Sequence, residues 1–244
     1  MPAHDCIIIA IDGPAGSGKS TLSRGLARSL GICHLNSGAT YRALAVKAVD
    51  EGIDPTDEES ANRIASSAKI EIVSSSDKKK ERFILDGVDI TNRIFQPEIS
   101  VVASKISKHK FVREKIVELQ REIVEQLCDE SESGNAEEQS IRGVVVEGRD
   151  IGTVVFPDAR VKIYLDASLE ERARRRMDDD DPGGNIRQTM TEVLERDVSD
   201  IQRTVSPLRP APDAVTIDNT GWPIEKTLKR AMEIVREKVA EFAN

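Results

Sequence analysis

The sequence predicts an α/β fold: a three-layer α/β/α arrangement around a parallel central sheet, with a small antiparallel insert. Three observations predict it. An apolar run, Cys6 to Ile11, passes through Asp12 into a glycine-rich loop, and a helical pattern follows with Leu22, Leu26 and Leu30 at spacing four, closed by Gly31. Short apolar runs at 32–35, 141–146, 161–165 and 214–217 then alternate with helical stretches, which implies a parallel sheet covered on both faces. Between 69 and 95 the pattern changes to short strand-like runs separated by polar turns.

The loop is the strongest local signal. Gly13 to Ser20 reads G-x-x-x-x-G-K-S, the phosphate-binding pattern. A phosphate chain needs several backbone N–H donors converging on it, so glycine is favoured where the backbone must approach closely. The helix starting near Lys19 points its positive end at the anion. Gly13, Pro14, Ala15, Gly16, Ser17, Gly18, Lys19, Ser20 and Thr21 are therefore the candidate ATP-binding residues. Lys19 is placed to bridge the β- and γ-phosphates, and the Ser20 hydroxyl to ligate Mg²⁺.

The remaining elements follow in order. A helix is predicted over 39–51, ended by Gly52. Thr56 and Glu59 read as a capping box that starts a helix running to 67. Strands are expected at 69–73, 82–85 and 88–90, with a polar turn at 74–80 whose Lys78, Lys79 and Lys80 read as a solvated tip. Helices follow at 97–107 and 110–129. The acidic, Ser/Gly-rich stretch 129–140 is aperiodic and reads as a mobile surface loop. Beyond it come a basic helix at 168–177, a polar Asp/Pro/Gly loop at 178–185, a helix at 186–202 and a last amphipathic helix at 224–242. No internal repeat is visible.

Composition narrows the class. A chain of 244 residues, 39% hydrophobic, suits one domain with insertions. A net charge of -8 and 3% aromatic content argue against a general nucleic-acid binder, which would be basic and would carry stacking platforms. Any polyanion site must be a local basic pocket. Cys6, Cys33 and Cys128 show neither metal spacing nor a disulfide framework, and Cys6 and Cys33 read as small core residues in a reducing compartment. The N-terminus lacks a basic leader pattern, and residues 7–11 are too short to span a membrane, so the cytoplasm is expected. No membrane or nucleic-acid partner is expected, and the chain is read as a monomer.

In parallel α/β folds ligands sit at the carboxyl ends of the strands. Charge gathers there in four segments: 36–42, 147–153, 171–176 and 196–203. Arg196, Asp200 and Arg203, spaced by four and three, would share one helix face, either a solvated salt-bridge face or part of a phosphate site. The arginines from Arg172 to Arg176 admit the same two readings. Glu147, at the end of an apolar strand, is either a turn-capping acid or a carboxylate that helps hold Mg²⁺. Transfer between two phosphorylated molecules needs cations on donor and acceptor, and the planar fork of Arg grips phosphate oxygens in two places.

The segments 12–19, 37–42, 148–157, 162–168, 170–173 and 196–207 together resemble bacterial-type cytidylate kinase, in matching order over nearly the whole chain. The resemblance implies phosphoryl transfer from ATP to CMP and dCMP, giving ADP and CDP or dCDP, within pyrimidine nucleotide metabolism. It implies a single P-loop kinase domain over 1–244. Its core would be 1–68, 96–171 and 189–244, its nucleotide-binding insert 69–95, and its lid 172–188. It assigns Ser104, Arg113 and Asp150 to the cytosine edge, and Arg42, Arg149 and Arg203 to the acceptor phosphate. Arg196 and Asp200 fall to the ribose, and Ser37 and Tyr41 to the acceptor-site lining. Arg172 and Arg175 come from the lid; with Lys19, Arg149 and Arg203 they form the expected catalytic set. The chain departs from the family pattern at Asn36, Ser20 and Glu147. Cytosine offers an N4 donor that Asp150 can accept, whereas uracil would present O4, acceptor to acceptor. The competing expectations are a P-loop kinase for another monophosphate, UMP or dTMP, and a non-catalytic nucleotide switch, which would need no acceptor site.

Overall fold

A computed structural model describes residues 6–74, 81–130, 142–180 and 183–242. The predicted Lys78–Lys80 tip and the stretch 131–140 lie outside the described residues. Within them the chain groups into two compact units, one drawn from Met1–Leu35 and Glu125–Asn244, the other from Asn36–Val124.

The first unit carries the larger sheet. Its strands are β1 (Ile7–Asp12), β2 (Cys33–Asn36), β6 (Gly143–Gly148), β7 (Val161–Asp166) and β8 (Val215–Asp218), in the order β2-β6-β1-β7-β8. β1 pairs in parallel with both β6 and β7, and β7 pairs in parallel with β8. Parallel neighbours bury both faces, so the inner strands β1 and β6 are centred on the apolar runs Ile7–Ile11 and Val144–Val146, whereas the edge strands β2 and β8 carry polar residues. The helices are α1 (Lys19–Leu30), α6 (Leu169–Asp180), α7 (Ile186–Ile201) and α8 (Ile224–Phe242). Leu22 and Leu26 of α1 and Ile234 and Val235 of α8 join Ile9, Ile11, Val145, Ile163 and Leu165 in one apolar core. The α/β class expected from the alternation is the class observed.

The second unit contains α2 (Ser37–Asp50), α3 (Glu58–Ser67), α4 (Pro97–Ile106) and an antiparallel sheet of β3 (Ile70–Ser74), β4 (Glu81–Leu85) and β5 (Val88–Asp89). Its core is built from Leu44, Ile64, Phe83, Ile94, Ile99 and Ile106. The strands expected at 69–73, 82–85 and 88–90 all form, shifted by a residue or so. The long helix α5 (Lys110–Glu130) carries residues of both units.

Several local expectations need correction. The cap of α3 is Asp57, whose carboxylate accepts from the Ser60 N–H at 3.0 Å; Thr56 instead donates its N–H and hydroxyl to Asp54. Both residues are good caps, and the earlier turn at Asp54 takes the threonine out of reach. Residues 178–180, expected in a loop, continue α6. α7 ends at Ile201, so Arg203 lies past the helix rather than on one face with Arg196 and Asp200. The cysteine reading is overturned more plainly: Cys6 and Cys128 are joined by a disulfide, their Cα atoms 5.9 Å apart and separated by 122 residues. The start of β1 and the end of α5 meet only in the folded unit, and spacing along the chain carries no trace of that. Cys33 and Cys6 are half-buried rather than core residues, and the Cys33 thiol donates to the Leu127 carbonyl.

Candidate active site

The phosphate loop leaves β1 at Asp12 and enters α1 at Lys19. Two of its glycines are required by close backbone approach. At Gly13 (φ 155°) a Cβ would lie 2.0 Å from the Leu165 carbonyl oxygen, and at Gly16 (φ 74°) 2.6 Å from the Arg172 carbonyl oxygen. Both contacts are with backbone, which cannot swing aside.

Lys19 is buried and donates from Nζ to the Pro14 carbonyl at 2.6 Å and to Ser17 Oγ at 3.3 Å. Burial, with Arg149 and Arg196 near it, pulls its ammonium well below the ordinary lysine value, although Glu147 and Asp12 oppose this. The Ser20 hydroxyl donates to Glu147 Oε2 at 2.8 Å, so the loop is tied to the end of β6. Glu147 is buried. Its other oxygen, Oε1, makes no hydrogen bond and lies 3.5 Å from His34 Nε2. Burial raises the carboxyl of Glu147, yet His34, Lys19 and Ser20 together hold it below the ordinary value.

Beyond Glu147 the chain makes a single π-helical turn, Ile151–Val155, which the sequence reading missed. Asp12 explains its placement. The Asp12 carboxylate accepts the N–H groups of Ile151 at 2.8 Å and Gly152 at 2.7 Å. The turn is thus anchored to the end of β1, and with it the preceding Arg149 and the buried Asp150. Burial raises the Asp12 carboxyl to about 6, with Asp150 adding to the rise and the two backbone N–H groups and Lys19 opposing it.

Arg149 donates from Nε to Asp200 Oδ2 at 2.9 Å. Arg203 approaches the same carboxylate, Nη1 to Oδ1 3.7 Å, and donates from Nε to the Asp200 carbonyl. Burial raises the Asp200 carboxyl, but Arg149, Arg203 and Arg196 outweigh it and hold it low. Lys19, Arg149, Arg196, Arg203 and Asp200 are therefore gathered in one unit, with the cations in excess.

The arginines of α6 divide. Arg174 is a surface residue paired with Glu171 and Asp178, as the solvated reading has it. Arg172 is buried, donates to the Ala167 and Ala15 carbonyls, and pairs with Asp197 at 2.5 Å. Arg175 pairs with Glu171 and donates to the Ser17 and Asn219 carbonyls and to Asn219 Oδ1. Asn219 also donates to the Ser17 carbonyl. Outward-facing carbonyls of the phosphate loop are thus held by two arginines and an asparagine. Asp12, Asp197, Asn219 and His34 were not singled out in the sequence; only Asp12, at a strand end beside the motif, carried a local signal.

The second unit holds the other candidates. Ser37 is buried at the start of α2, where Gln120 donates to the Ser37 carbonyl and to Thr40 Oγ1. The buried Arg113 guanidinium lies 5.3 Å from the centre of the Tyr41 ring and donates to the Ser107 carbonyl. Ser107 donates in turn to the Ser104 carbonyl, so Ser104, Arg113 and Tyr41 form one neighbourhood. Arg42 is turned to the Phe95 ring, 5.6 Å from its centre, and to Ser100 Oγ.

The model of the cytidylate kinase family matches residues 9–237. The chain belongs to that family. A cytidylate kinase of Thermotoga sp. (strain RQ2) is 42% identical over 235 residues, 95% of this chain and 97% of that protein. One from Pelotomaculum thermopropionicum is 43% identical over 224 residues, covering 91% and 92%. Family membership makes the chain a kinase. Among solved structures, an uncharacterized protein from Eubacterium ventriosum superposes with a TM-score of 0.50 at 13% identity, over 95% of this chain and 98% of that one, a likeness of fold alone. Among the described residues no helix is long and apolar enough to cross a membrane.

Proposed function

We propose that the protein transfers a phosphoryl group from ATP to CMP and dCMP, yielding ADP and CDP or dCDP. The observation that carries the reading is the cation cluster of Lys19, Arg149, Arg196 and Arg203 beside the phosphate loop of an acidic protein. A triphosphate alone needs Lys19 and the loop amides. Further arginines at the ends of β6 and α7 call for a second phosphate, which a switch would not supply.

Transfer is in line, and no side-chain nucleophile is required. The loop amides and Lys19 hold the donor phosphates. Arg149 and Arg203 hold the acceptor phosphate, with Arg42 as a third cation. Arg172 and Arg175, in the proposed lid at 172–188, fix the loop that carries Lys19 and bring charge to the donor side. Arg196 and Asp200 contact the ribose, Ser37 and Tyr41 line the acceptor site, and Ser104, Arg113 and Asp150 read the cytosine edge. The insert at 69–95 completes the nucleotide-binding part.

Mg²⁺ fits the residues at the loop. A hydroxyl and a carboxylate are hard oxygen donors, and Ser20 Oγ lies 2.8 Å from Glu147 Oε2 at the start of α1. Ser20 and Glu147 would hold the ion, Glu147 directly or through water, and when bound it neutralises charge on the donor phosphates.

ATP and CMP are cytoplasmic metabolites, and this supports a cytoplasmic location. The thiol argument for that compartment falls with the Cys6–Cys128 disulfide. The test is ADP formation with ATP alone and with each monophosphate added. Stimulation by CMP and dCMP only is expected. Stimulation by UMP or dTMP instead would give the acceptor site to another base, and stimulation by none would restore the switch.

A further inference from the structure

His34 lies behind the phosphate loop, where family membership assigns nothing to it. β2, which carries it, is the neighbour of β6, which carries Glu147. Both side chains are almost fully enclosed, at 9% and 4% exposure. His34 Nε2 is 3.2 Å from Ser23 Oγ and 3.5 Å from Glu147 Oε1. The Ser23 hydroxyl proton is already committed, because Ser23 donates to the Lys19 carbonyl at 2.6 Å. Ser23 Oγ can therefore only accept from His34, which fixes the proton on Nε2. The same Nε2 lies within 3.5 Å of both Ser23 Oγ and Glu147 Oε1. The Glu147 oxygen it faces is the one without a hydrogen bond, while the opposite oxygen takes the Ser20 hydroxyl.

We propose that His34 is a positioning residue for Glu147, holding its carboxylate by one edge so that the other stays turned to Ser20 at the mouth of the phosphate loop. The inference rests on reading Glu147 as the carboxylate that helps hold the divalent ion. A carboxylate buried between two strands has two settings of its terminal torsion, and a fixed N–H on one side selects one of them. Ser23 and the Lys19 carbonyl anchor the histidine in turn, so the chain runs Lys19 carbonyl, Ser23, His34, Glu147, Ser20. It starts and ends on the first turn of α1, the turn that meets the phosphates. Groups that orient a metal-side ligand in this way commonly change metal affinity by about 10- to 100-fold when removed.

The test is a titration of Mn²⁺, followed by its electron paramagnetic resonance signal, into the enzyme bound to a non-hydrolysable ATP analogue. Affinity for the analogue without metal is measured alongside. His34→Leu keeps the volume and removes the N–H. It is expected to weaken Mn²⁺ binding about tenfold or more while leaving metal-free analogue affinity unchanged. His34→Gln can return an N–H near the position of Nε2 and should recover most of the loss, whereas the shorter His34→Asn should not. Should His34→Leu fail to fold, the Gln and Asn variants carry the comparison by themselves. Wild-type Mn²⁺ affinity in His34→Leu, an equal loss of metal-free binding, or equal affinities in Gln and Asn would each overturn the role. Glu147→Gln in the same titration separates the two readings: wild-type metal binding there removes Glu147 from the ion and leaves the kinase assignment untouched.

Discussion

Arg149 Nε donates to Asp200 Oδ2 at 2.9 Å, and Arg203 approaches the other oxygen of the same carboxylate. One acid thus spaces two arginines that come from opposite sides of a long stretch of chain, the end of β6 and the segment after α7. Without it their mutual repulsion would spread them; with it they remain available to a phosphate.

Arg149→Ala should lower kcat/KM for CMP by about 3 kcal/mol, roughly 150-fold, because a phosphate charge loses a two-pronged partner. Arg149→Lys should recover only part of this, since an ammonium cannot hold Asp200 and a phosphate at once as a planar fork can. Steady-state kinetics over a CMP series checks both. Near-normal turnover in the alanine variant would remove Arg149 from the mechanism.

Asp150→Ala should relax the preference for CMP over UMP. The buried carboxylate favours an amino group over a carbonyl oxygen at position 4 of the base. The measurement is the ratio of kcat/KM for the two monophosphates. An unchanged ratio would reject Asp150 as a reader of the base.

Asp12 should give the protein a pH-dependent stability. Its carboxyl is raised to about 6, chiefly by burial, so the folded state holds the proton more tightly than the unfolded chain does. The stabilisation that this proton brings is complete below about pH 4 and is lost as pH rises through 6. A shift of this size corresponds to about 3 kcal/mol. Urea unfolding of wild type and Asp12→Asn, from pH 4.5 to 7.5, should show wild type losing stability relative to the variant across that window. Parallel curves would contradict the assignment. At neutral pH the variant should still disturb the Ile151–Val155 turn, because an amide oxygen and NH₂ cannot accept both backbone N–H groups.

The Cys6–Cys128 bond joins two residues of the first unit and closes a loop of more than a hundred residues that includes all of Asn36–Val124. Reduction or Cys128→Ser should therefore cost up to about 4 to 5 kcal/mol on the chain-entropy account. Thermal unfolding with and without dithiothreitol tests this: the wild-type Tm should fall, and the serine variant should not respond. Equal melting of reduced and oxidised wild type would show that the bond adds no net stability, its constraint on the unfolded chain being offset in the folded one.

Gly16→Ala should loosen the phosphate loop from α6, since the added methyl meets the Arg172 backbone at 2.6 Å in a conformation that already disfavours a side chain. ATP affinity measured by calorimetry should drop while the secondary-structure content stays constant.

The residues explain how much of this the sequence carries. The phosphate loop is legible because its function is local: contiguous residues set backbone geometry, and a strand before and a helix after follow from apolar periodicity. The parallel sheet is legible for the same reason, as an alternation repeated along the chain. Glu147 and Arg149 could be nominated because strand ends face ligands in this class of fold, and Asp150 through the resemblance to the family. The tertiary structure alone decided what each touches. Asp12 meets Gly152 across 140 residues, Ser20 meets Glu147 across 127, and Cys6 meets Cys128 across 122. Such pairings depend on β6 lying between β2 and β1, an order of strands that differs from their order in the chain. Local pattern encodes which face of an element is buried; which buried neighbour it finds is settled only when the whole sheet assembles, because the energy that selects it comes from packing all strands and helices at once.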